Sequence, residues 1–133
     1  MEEYLLNLVN WTKLKLRIHI KSEKGIVYFQ EREIWWASLG VNIGSEQNGK
    51  NNNFERPVLV LKKFNKSTLW ALPVTGQYKK REYYFSLYHQ GKQYYFNFSQ
   101  LRLISSKRLI RKFSILSEND MREIKEAVIK LLK

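Results

Sequence analysis

The segment from Glu31 to Phe64, "EREIWWASLGVNIGSEQNGKNNNFERPVLVLKKF", decides the fold. It opens with "EIWWASL", a run of aromatic, branched and small apolar residues that is typical of a β-strand. It closes with "RPVLVLKKF", a second run of this kind that begins at Arg56. Between the two runs, residues 40–53 are rich in glycine and asparagine and predict a long polar loop. The segment therefore predicts two strands joined by a loop that leads directly into an arginine.

Short β-prone runs continue along the rest of the chain and are separated by turn signals. They are "LWALPV" (69–74), "EYYFSLY" (82–88), "QYYFNF" (93–98), "QLRLIS" (100–105) and "RKFSIL" (111–116). The second and third runs flank "HQGK", which predicts a β-hairpin. Many short strands with frequent turns are typical of a small barrel rather than of a parallel sheet.

Helices are predicted at both ends of the chain. Residues 2–21 begin with helical spacing at Leu5, Leu8 and Val9, although the apolar residues from 14 to 20 alternate as they do in a strand; we predict a helix. Near the C-terminus, Ser117 is a predicted N-cap, and apolar residues recur at helical spacing from Met121 to 131. The predicted fold class is therefore α+β, mainly β: a small barrel over residues 31–133, a C-terminal helix, and a helical N-terminal extension over residues 1–30, all in one compact unit.

Composition limits the function. The 133 residues carry a net charge of +12, which predicts binding to a polyanion: nucleic acid first, an acidic protein second, with a merely solvated basic surface as the alternative. Cysteine is absent, which excludes disulfides and thiol nucleophiles. No apolar run reaches membrane-spanning length and no secretory signal is visible, so we expect a cytoplasmic protein without a membrane partner.

Four segments together resemble one protein family. They are "EIWWASL" (33–39) with "GSEQ" (44–47), "RPVLV" (56–60), "LPVTGQ" (72–77), and the stretch from Gln100 onward that contains "QLRLISSKRL" and the closing helix. In this order they resemble the MazF/PemK toxins of bacterial type II toxin–antitoxin systems, and the resemblance covers residues 31–133. It implies an SH3-like barrel of the MazF/PemK/CcdB type that acts as a homodimer. It also implies a metal-independent, sequence-specific endoribonuclease without a cofactor, which cleaves single-stranded RNA and is neutralised by an acidic antitoxin.

The resemblance also assigns roles to residues. The family's catalytic arginine and threonine fall on Arg56 and Thr75. Arginine suits the task, because its forked, permanently charged donors match phosphoryl oxygens. Substrate contacts are implied for a further set: Ser45, Glu46, Gln47, Gln77, Gln100 and Arg102. Glu46 has two open roles, as a general base or as an acceptor for base edges.

Each assignment has a structural alternative. Arg56 can simply pair with its neighbour Glu55, Thr75 can be an ordinary turn residue, and Glu46 can be a solvated loop acid. Gln100 and Arg102 alternate with leucines, as in any half-buried strand. The aromatic residues can stack on bases or belong to the core, and none is assigned to the site: Trp35, Trp36, Tyr83, Tyr84, Tyr94 and Tyr95.

Other chemistries receive little support. The two histidines, His19 and His89, lie in the extension and in the predicted hairpin turn, too far apart in the pattern to form an acid–base pair. No cluster of Asp, Glu and His has metal-ligand spacing, so no metal is predicted. The alternatives to a nuclease are a non-catalytic RNA- or protein-binding member of the same barrel family and a toxin that acts on a protein such as gyrase. The chain also departs from the family in its longer loop, "KNNNFE" after Gly49, and in residues 1–30.

Overall fold

The computed structural model describes residues 1–22, 25–78 and 82–133 of the chain. Within these ranges, two helices flank seven strands in chain order. The elements are α1 (Glu2–His19), β1 (Glu33–Ser38), β2 (Glu55–Lys63), β3 (Thr68–Thr75), β4 (Tyr84–His89), β5 (Lys92–Asn97), β6 (Arg102–Ser105), β7 (Leu109–Ile115) and α2 (Glu118–Leu131). Short 3₁₀ turns at Phe98–Gln100 and Ser106–Arg108 precede β6 and β7. Within the described ranges, neither helix is both long and apolar enough to cross a membrane.

All strand pairs are antiparallel, in the order β4-β5-β3-β2-β1-β7. One edge of β3 is shared, because its first half pairs with β6 and its last residues, Val74 and Thr75, pair with β5. The sheet is not closed, since no backbone pairing joins β4 to β7 in the described part of the chain. A side-chain hydrogen bond of 2.6 Å between His89 Nε2 and Ser114 Oγ links these two strands. The predicted α+β, mainly β fold is confirmed. The sheet is open between β4 and β7 and is not a fully closed barrel.

The strands β1, β2 and β3 are buried on both faces, which explains why their sequences are apolar almost throughout. One cluster contains Ile34, Leu59 and Leu72 and is covered by α2. The other contains Trp35 and Val58 on the opposite face, where the segment around Phe29 covers it. Side chains alternate across a strand, so successive residues enter different cores. The stretch 26–30, which is β-prone in sequence, is not a strand and packs Val27 and Phe29 against this second core.

The helix α2 begins where the sequence predicts. The Ser117 hydroxyl accepts a hydrogen bond of 3.0 Å from the Asp120 backbone N–H, as an N-cap does. Met121 and Ile124 are buried in the first core, whereas the last predicted apolar position, Leu131, is 42% exposed. Ala127 and Val128 also pack against this core, so α2 covers it from Met121 to Val128 but not with its last turn.

The helix α1 confirms a helix in the N-terminal extension, but it ends at His19 and does not cover the whole of residues 1–30. The strand-like alternation after residue 13 does not form a strand. Its only buried side chain is Trp11. The Trp11 ring lies 5.8 Å from that of Phe54 and 5.7 Å from the Arg108 guanidinium. At the end of α1, Lys107 Nζ donates 2.8 Å to the carbonyl of His19. The sequence "SEKG" at 22–25 is typical of a turn, but residues 23 and 24 lie outside the described residues.

Candidate functional site

Arg56 stands at the start of β2 and is held by the loop that precedes it. Its Nε–H donates a hydrogen bond of 2.9 Å to the carbonyl of Asn48. The hydrogen-bonding pattern turns the Gln47 amide oxygen toward Arg56, where it accepts from Nε and Nη2 at 3.0 Å each. Burial lowers the pKa of Arg56 from its ordinary value, and Tyr84 partly offsets this effect. The guanidinium is thus fixed in position and half removed from water.

The alternative role for Arg56, pairing with Glu55, is not what the structure shows. Glu55 is buried and forms an ion pair of 3.0 Å with Arg111. Adjacent residues of a strand point to opposite faces, so Glu55 and Arg56 cannot easily meet. Arg56 is free of that carboxylate and faces the loop and a cavity.

Arg56 and Thr75 line the same cavity, which has a volume of about 100 Å³. Gln47 and Gln77 line the same cavity. The register of β2 with β3 pairs Val58 with Pro73, and extending it by two residues places Arg56 opposite Thr75. Opposed side chains on one face of a sheet are neighbours. Two of the predicted substrate contacts therefore share one cavity with both predicted catalytic residues.

The Thr75 hydroxyl already takes part in one hydrogen bond, as its acceptor. Its Oγ1 accepts a hydrogen bond of 3.2 Å from the backbone N–H of Gln77. Because this bond uses an oxygen lone pair, the hydroxyl hydrogen can still be donated into the cavity. The side chain is half-buried at the end of β3, where Thr75 pairs with Tyr95.

A second cavity, of about 480 Å³, adjoins the first and shares Gln47, Tyr84 and Asn97 with it. It is lined by the remaining predicted loop residues, Ser45 and Glu46, and by Gln100. Seven of the eight predicted site residues thus line this joined pair of cavities: Arg56, Thr75, Ser45, Glu46, Gln47, Gln77 and Gln100. Arg102 does not line either cavity; it lies half-buried in β6, where its charge lowers the pKa of Arg108 after the larger effect of burial.

Gln100 shapes the loop directly. Its Oε1 accepts a hydrogen bond of 2.8 Å from the backbone N–H of Gln47, and its Nε2 donates one of 3.1 Å to the carbonyl of Ser45. Asn42 holds the same loop from inside, because its Nδ2 donates to the carbonyls of Leu39 and Gln47 at 3.0 and 2.7 Å. The loop that carries Gln47 is therefore ordered by side-chain amides.

Glu46 is engaged within its own turn. Its Oε1 accepts 3.0 Å from the backbone N–H of Ile43, and its own N–H donates 3.1 Å to the Ile43 carbonyl. It lines the larger cavity and not the smaller one that holds Arg56. Glu46 therefore lies at the larger cavity, apart from Arg56 and Thr75.

Tyr84 and Asn97 complete the smaller cavity and were not assigned to the site from sequence. They pair across β4 and β5, and Asn97 Nδ2 donates 3.0 Å to the Tyr84 hydroxyl oxygen. Asn97 is only 6% exposed although it is polar, and its Oδ1 accepts 2.7 Å from the Ser99 hydroxyl. In the sequence, Asn97 differs from its apolar neighbours in "YYFNF", which was the available signal.

The remaining aromatic residues divide between core and surface. Trp35 is buried, and Tyr94 packs against the first core. Tyr83 is 43% exposed and lines the larger cavity. His89 contacts Ser114 rather than the site. Among the described residues, no group of three or more His, Cys, Asp or Glu side chains is arranged to hold a metal ion.

The fold and the cavities define a small, mainly β protein with a half-buried arginine in an amide-lined site. Residues 30–132 match the model of a family described as PemK-like, MazF-like toxins of type II toxin–antitoxin systems. Because the match covers most of the chain, the protein belongs to this family, and the predicted resemblance is confirmed. A comparison with curated proteins found no match. Membership implies an antitoxin as partner.

Proposed function

We propose that this toxin is a metal-independent, sequence-specific endoribonuclease that cleaves single-stranded RNA. The observation that carries the proposal is the convergence of Arg56 and Thr75 on one small cavity, in a chain of the PemK-like toxin family. The net charge of +12 supports a polyanionic substrate.

The chemistry follows from the groups present. The 2′-hydroxyl of a ribose attacks the adjacent phosphorus and gives up its proton to water, while the bond to the 5′-oxygen breaks and that oxygen takes up a proton. The products are a 2′,3′-cyclic phosphate and a free 5′-hydroxyl. Arg56 stabilises the negative charge that develops on the phosphoryl oxygens, and its bonds to Asn48 and Gln47 fix its orientation before RNA binds. Thr75 donates its hydroxyl hydrogen to the phosphate.

Tyr84 adds a second hydroxyl to the same cavity. Its oxygen accepts from Asn97, so its own hydrogen is available to the phosphate or to the leaving oxygen. The larger cavity, with Ser45, Glu46 and Gln100, presents backbone and side-chain polar groups to a base. Single-stranded bases are read in this way, by hydrogen bonds to their edges.

The partners follow from the same proposal. The antitoxin carries an acidic, flexible segment that occupies the RNA site, and the toxin acts as a homodimer in the cytoplasm. The excess positive charge supports an acidic inhibitor. Dimerisation and location stay predictions from family membership.

The decisive experiment is cleavage of a long unstructured RNA by the purified protein in EDTA. We expect cutting at a few short motifs, which Arg56→Ala and Thr75→Ala abolish. Arg122→Ala is the control, because Arg122 lies exposed on α2, does not line either cavity and hydrogen-bonds to Asn119 on its own helix. Binding without cutting by the wild type contradicts the nuclease and favours the non-catalytic RNA-binding alternative. Cutting that survives in Arg56→Ala assigns the chemistry to other residues.

A further inference from the structure

A groove of about 660 Å³ runs between α1 and the loop of residues 48–54. Its helix wall is formed by Tyr4, Asn7, Asn10, Lys13, Leu14 and Arg17. Its loop wall includes Asn48, Lys50, Asn51 and Asn52. The helix lies before the segment that matches the family, residues 30–132, and the loop wall lies inside that segment.

The groove has the chemistry of a nucleic-acid site. Lys13, Arg17 and Lys50 supply positive charge, and no carboxylate lines the groove among the residues that the structure describes. Five asparagine amides line it, which can donate to and accept from base edges. Tyr4 is 54% exposed at the same groove and offers a ring for stacking. Cations, amides and an exposed aromatic ring together suit a single strand.

The groove is continuous with the Arg56 cavity. Lys50 lines both of them. Asn48 lines the groove while its carbonyl accepts the hydrogen bond from Arg56 Nε at 2.9 Å. A strand with its phosphate at Arg56 can therefore pass along Lys50 into the groove without leaving the surface.

Both walls are fixed by close packing. A Cβ on Gly40 would lie 2.0 Å from Cε2 of Trp11, so the α1 side chain rests directly on this glycine. A Cβ on Gly49 would lie 1.5 Å from the carbonyl oxygen of Phe54, and the Gly49 N–H donates 2.9 Å to the Gly40 carbonyl. The groove is therefore preformed, which reduces the entropic cost of binding.

We propose that this groove binds the single-stranded RNA that flanks the scissile phosphate, with Lys13 and Arg17 on phosphates and the asparagines on bases. The proposal rests on the proposed ribonuclease function and extends its binding site. Through α1 the chain gains contacts with nucleotides beyond those that the Arg56 cavity can reach.

The test compares two double variants of equal charge change. Lys13→Ala/Arg17→Ala removes the two groove cations of α1. Lys15→Ala/Arg122→Ala also removes one lysine and one arginine, from positions that do not line the groove. Far-ultraviolet circular dichroism and melting temperature establish that both are folded. RNA binding is measured by anisotropy with fluorescent oligonucleotides of increasing length, and cleavage by kcat/KM on the same series.

We expect the groove variant to bind long RNA on the order of tenfold more weakly, and its deficit in kcat/KM to grow with RNA length through KM. The slope of log K against log salt should fall in magnitude by about 1.4, since each single-strand phosphate contact contributes about 0.7. The control variant should match the wild type.

Equal binding by the two variants, or a deficit independent of RNA length, overturns the proposal. So does a loss confined to binding of an acidic probe, poly-L-glutamate, which would assign the groove to a protein partner. Failure of the ribonuclease itself is a separate result, because it appears as wild-type protein that binds the oligonucleotides and does not cut them.

Discussion

Arg56 owes its orientation to two neighbours in the loop, the carbonyl of Asn48 and the amide of Gln47. These three hydrogen bonds use the Nε–H and the forked geometry of a guanidinium, which lysine lacks. A lysine at this position keeps a positive charge and loses the fixed direction. The distinction between charge and geometry can therefore be measured at one residue.

We expect Arg56→Lys to lower kcat about 10²- to 10³-fold, the usual loss for one preorganised transition-state donor. RNA affinity should change much less, because the charge remains. Single-turnover cleavage and anisotropy separate the two effects. Activity within a few-fold of the wild type would show that charge alone suffices at this position.

Glu33 is a buried carboxylate whose ionised form is stabilised by the fold. Burial raises its pKa, but hydrogen bonds from Lys112, Trp35 and Gln30 outweigh this, so its pKa lies below the ordinary 4.5. The Lys112 Nζ lies 2.9 Å from Glu33 Oε2. A lowered folded-state pKa contributes stability that is present above pH 4.5 and is lost as the pH falls through the folded value.

We expect Glu33→Gln to lower the free energy of unfolding by about 1–3 kcal/mol near neutral pH. Its difference from the wild type should shrink as the pH falls below 4.5. Urea unfolding at several pH values measures this, with the exposed Glu126→Gln as control. A difference that stays constant with pH would mean that packing, not ionisation, is responsible.

At the scale of elements, the loop between β1 and β2 is held in place by Gln100, which lies just before β6. Its side chain accepts a hydrogen bond from the Gln47 N–H and donates one to the Ser45 carbonyl, and these bonds link the loop to the start of β6. Gln100 can therefore act as a positioning residue even where RNA does not touch it.

We expect Gln100→Ala to lower kcat/KM by up to about 30-fold, because two loop hydrogen bonds of roughly 1 kcal/mol each are lost. Gln100→Glu keeps the acceptor for the Gln47 N–H and should recover part of the activity. Measurement of kcat/KM for both variants on one RNA distinguishes positioning from direct contact. Equal losses in the two variants would argue for a direct amide contact with RNA.

The helix α1 depends on one close approach, between Trp11 and Gly40. Gly40 has a φ of +81°, and a Cβ there would collide with the indole ring. Gly91 has a φ of +79° and open space around it, so it gives the same backbone strain without the collision. A comparison of alanine substitutions at Gly40 and Gly91 therefore separates the loss of the Trp11 contact from the cost of a left-handed backbone conformation.

We expect Gly40→Ala to release α1 and to expose its amides to hydrogen exchange, while Gly91→Ala leaves them protected. Mass spectrometry of peptides from residues 1–20 measures this. RNA binding by Gly40→Ala should also fall, since the groove loses its helix wall. Equal protection in both variants would show that α1 docks without this contact.

At the scale of the whole molecule, the strands are predictable because their runs of β-prone residues are separated by turn signals. The continuous run "PVLVL" could not reveal that Val58 and Leu59 enter different cores, since burial on both faces removes the alternation. The turn of β4 to β5 was predictable from "QG", and Gln90 and Gly91 both have positive φ.

The site was predictable only in part. Arg56 and Thr75 came from resemblance, and the antiparallel register then brings them together. Asn48 escaped sequence reasoning, because a backbone carbonyl that orients an arginine leaves no signature in residue type. Tyr84 was considered only as an aromatic ring and was not assigned to the site, although its hydroxyl lies at the smaller cavity. Arg102 fitted the motif but lies outside the two cavities, where no local pattern could place it.

The net charge of +12 leads to a prediction for the molecule as a whole. The site and the groove place four cations along one path: Lys13, Arg17, Lys50 and Arg56. Each phosphate neutralised on a single strand contributes about 0.7 to the salt slope, so these four predict a slope of about −2.8. We expect anisotropy titrations from low to moderate salt to give this value for a long RNA. An oligonucleotide with uncharged methylphosphonate linkages should show almost no slope. A steep slope for that oligonucleotide, or a flat one for RNA, would mean that the excess charge does not act on the phosphate backbone.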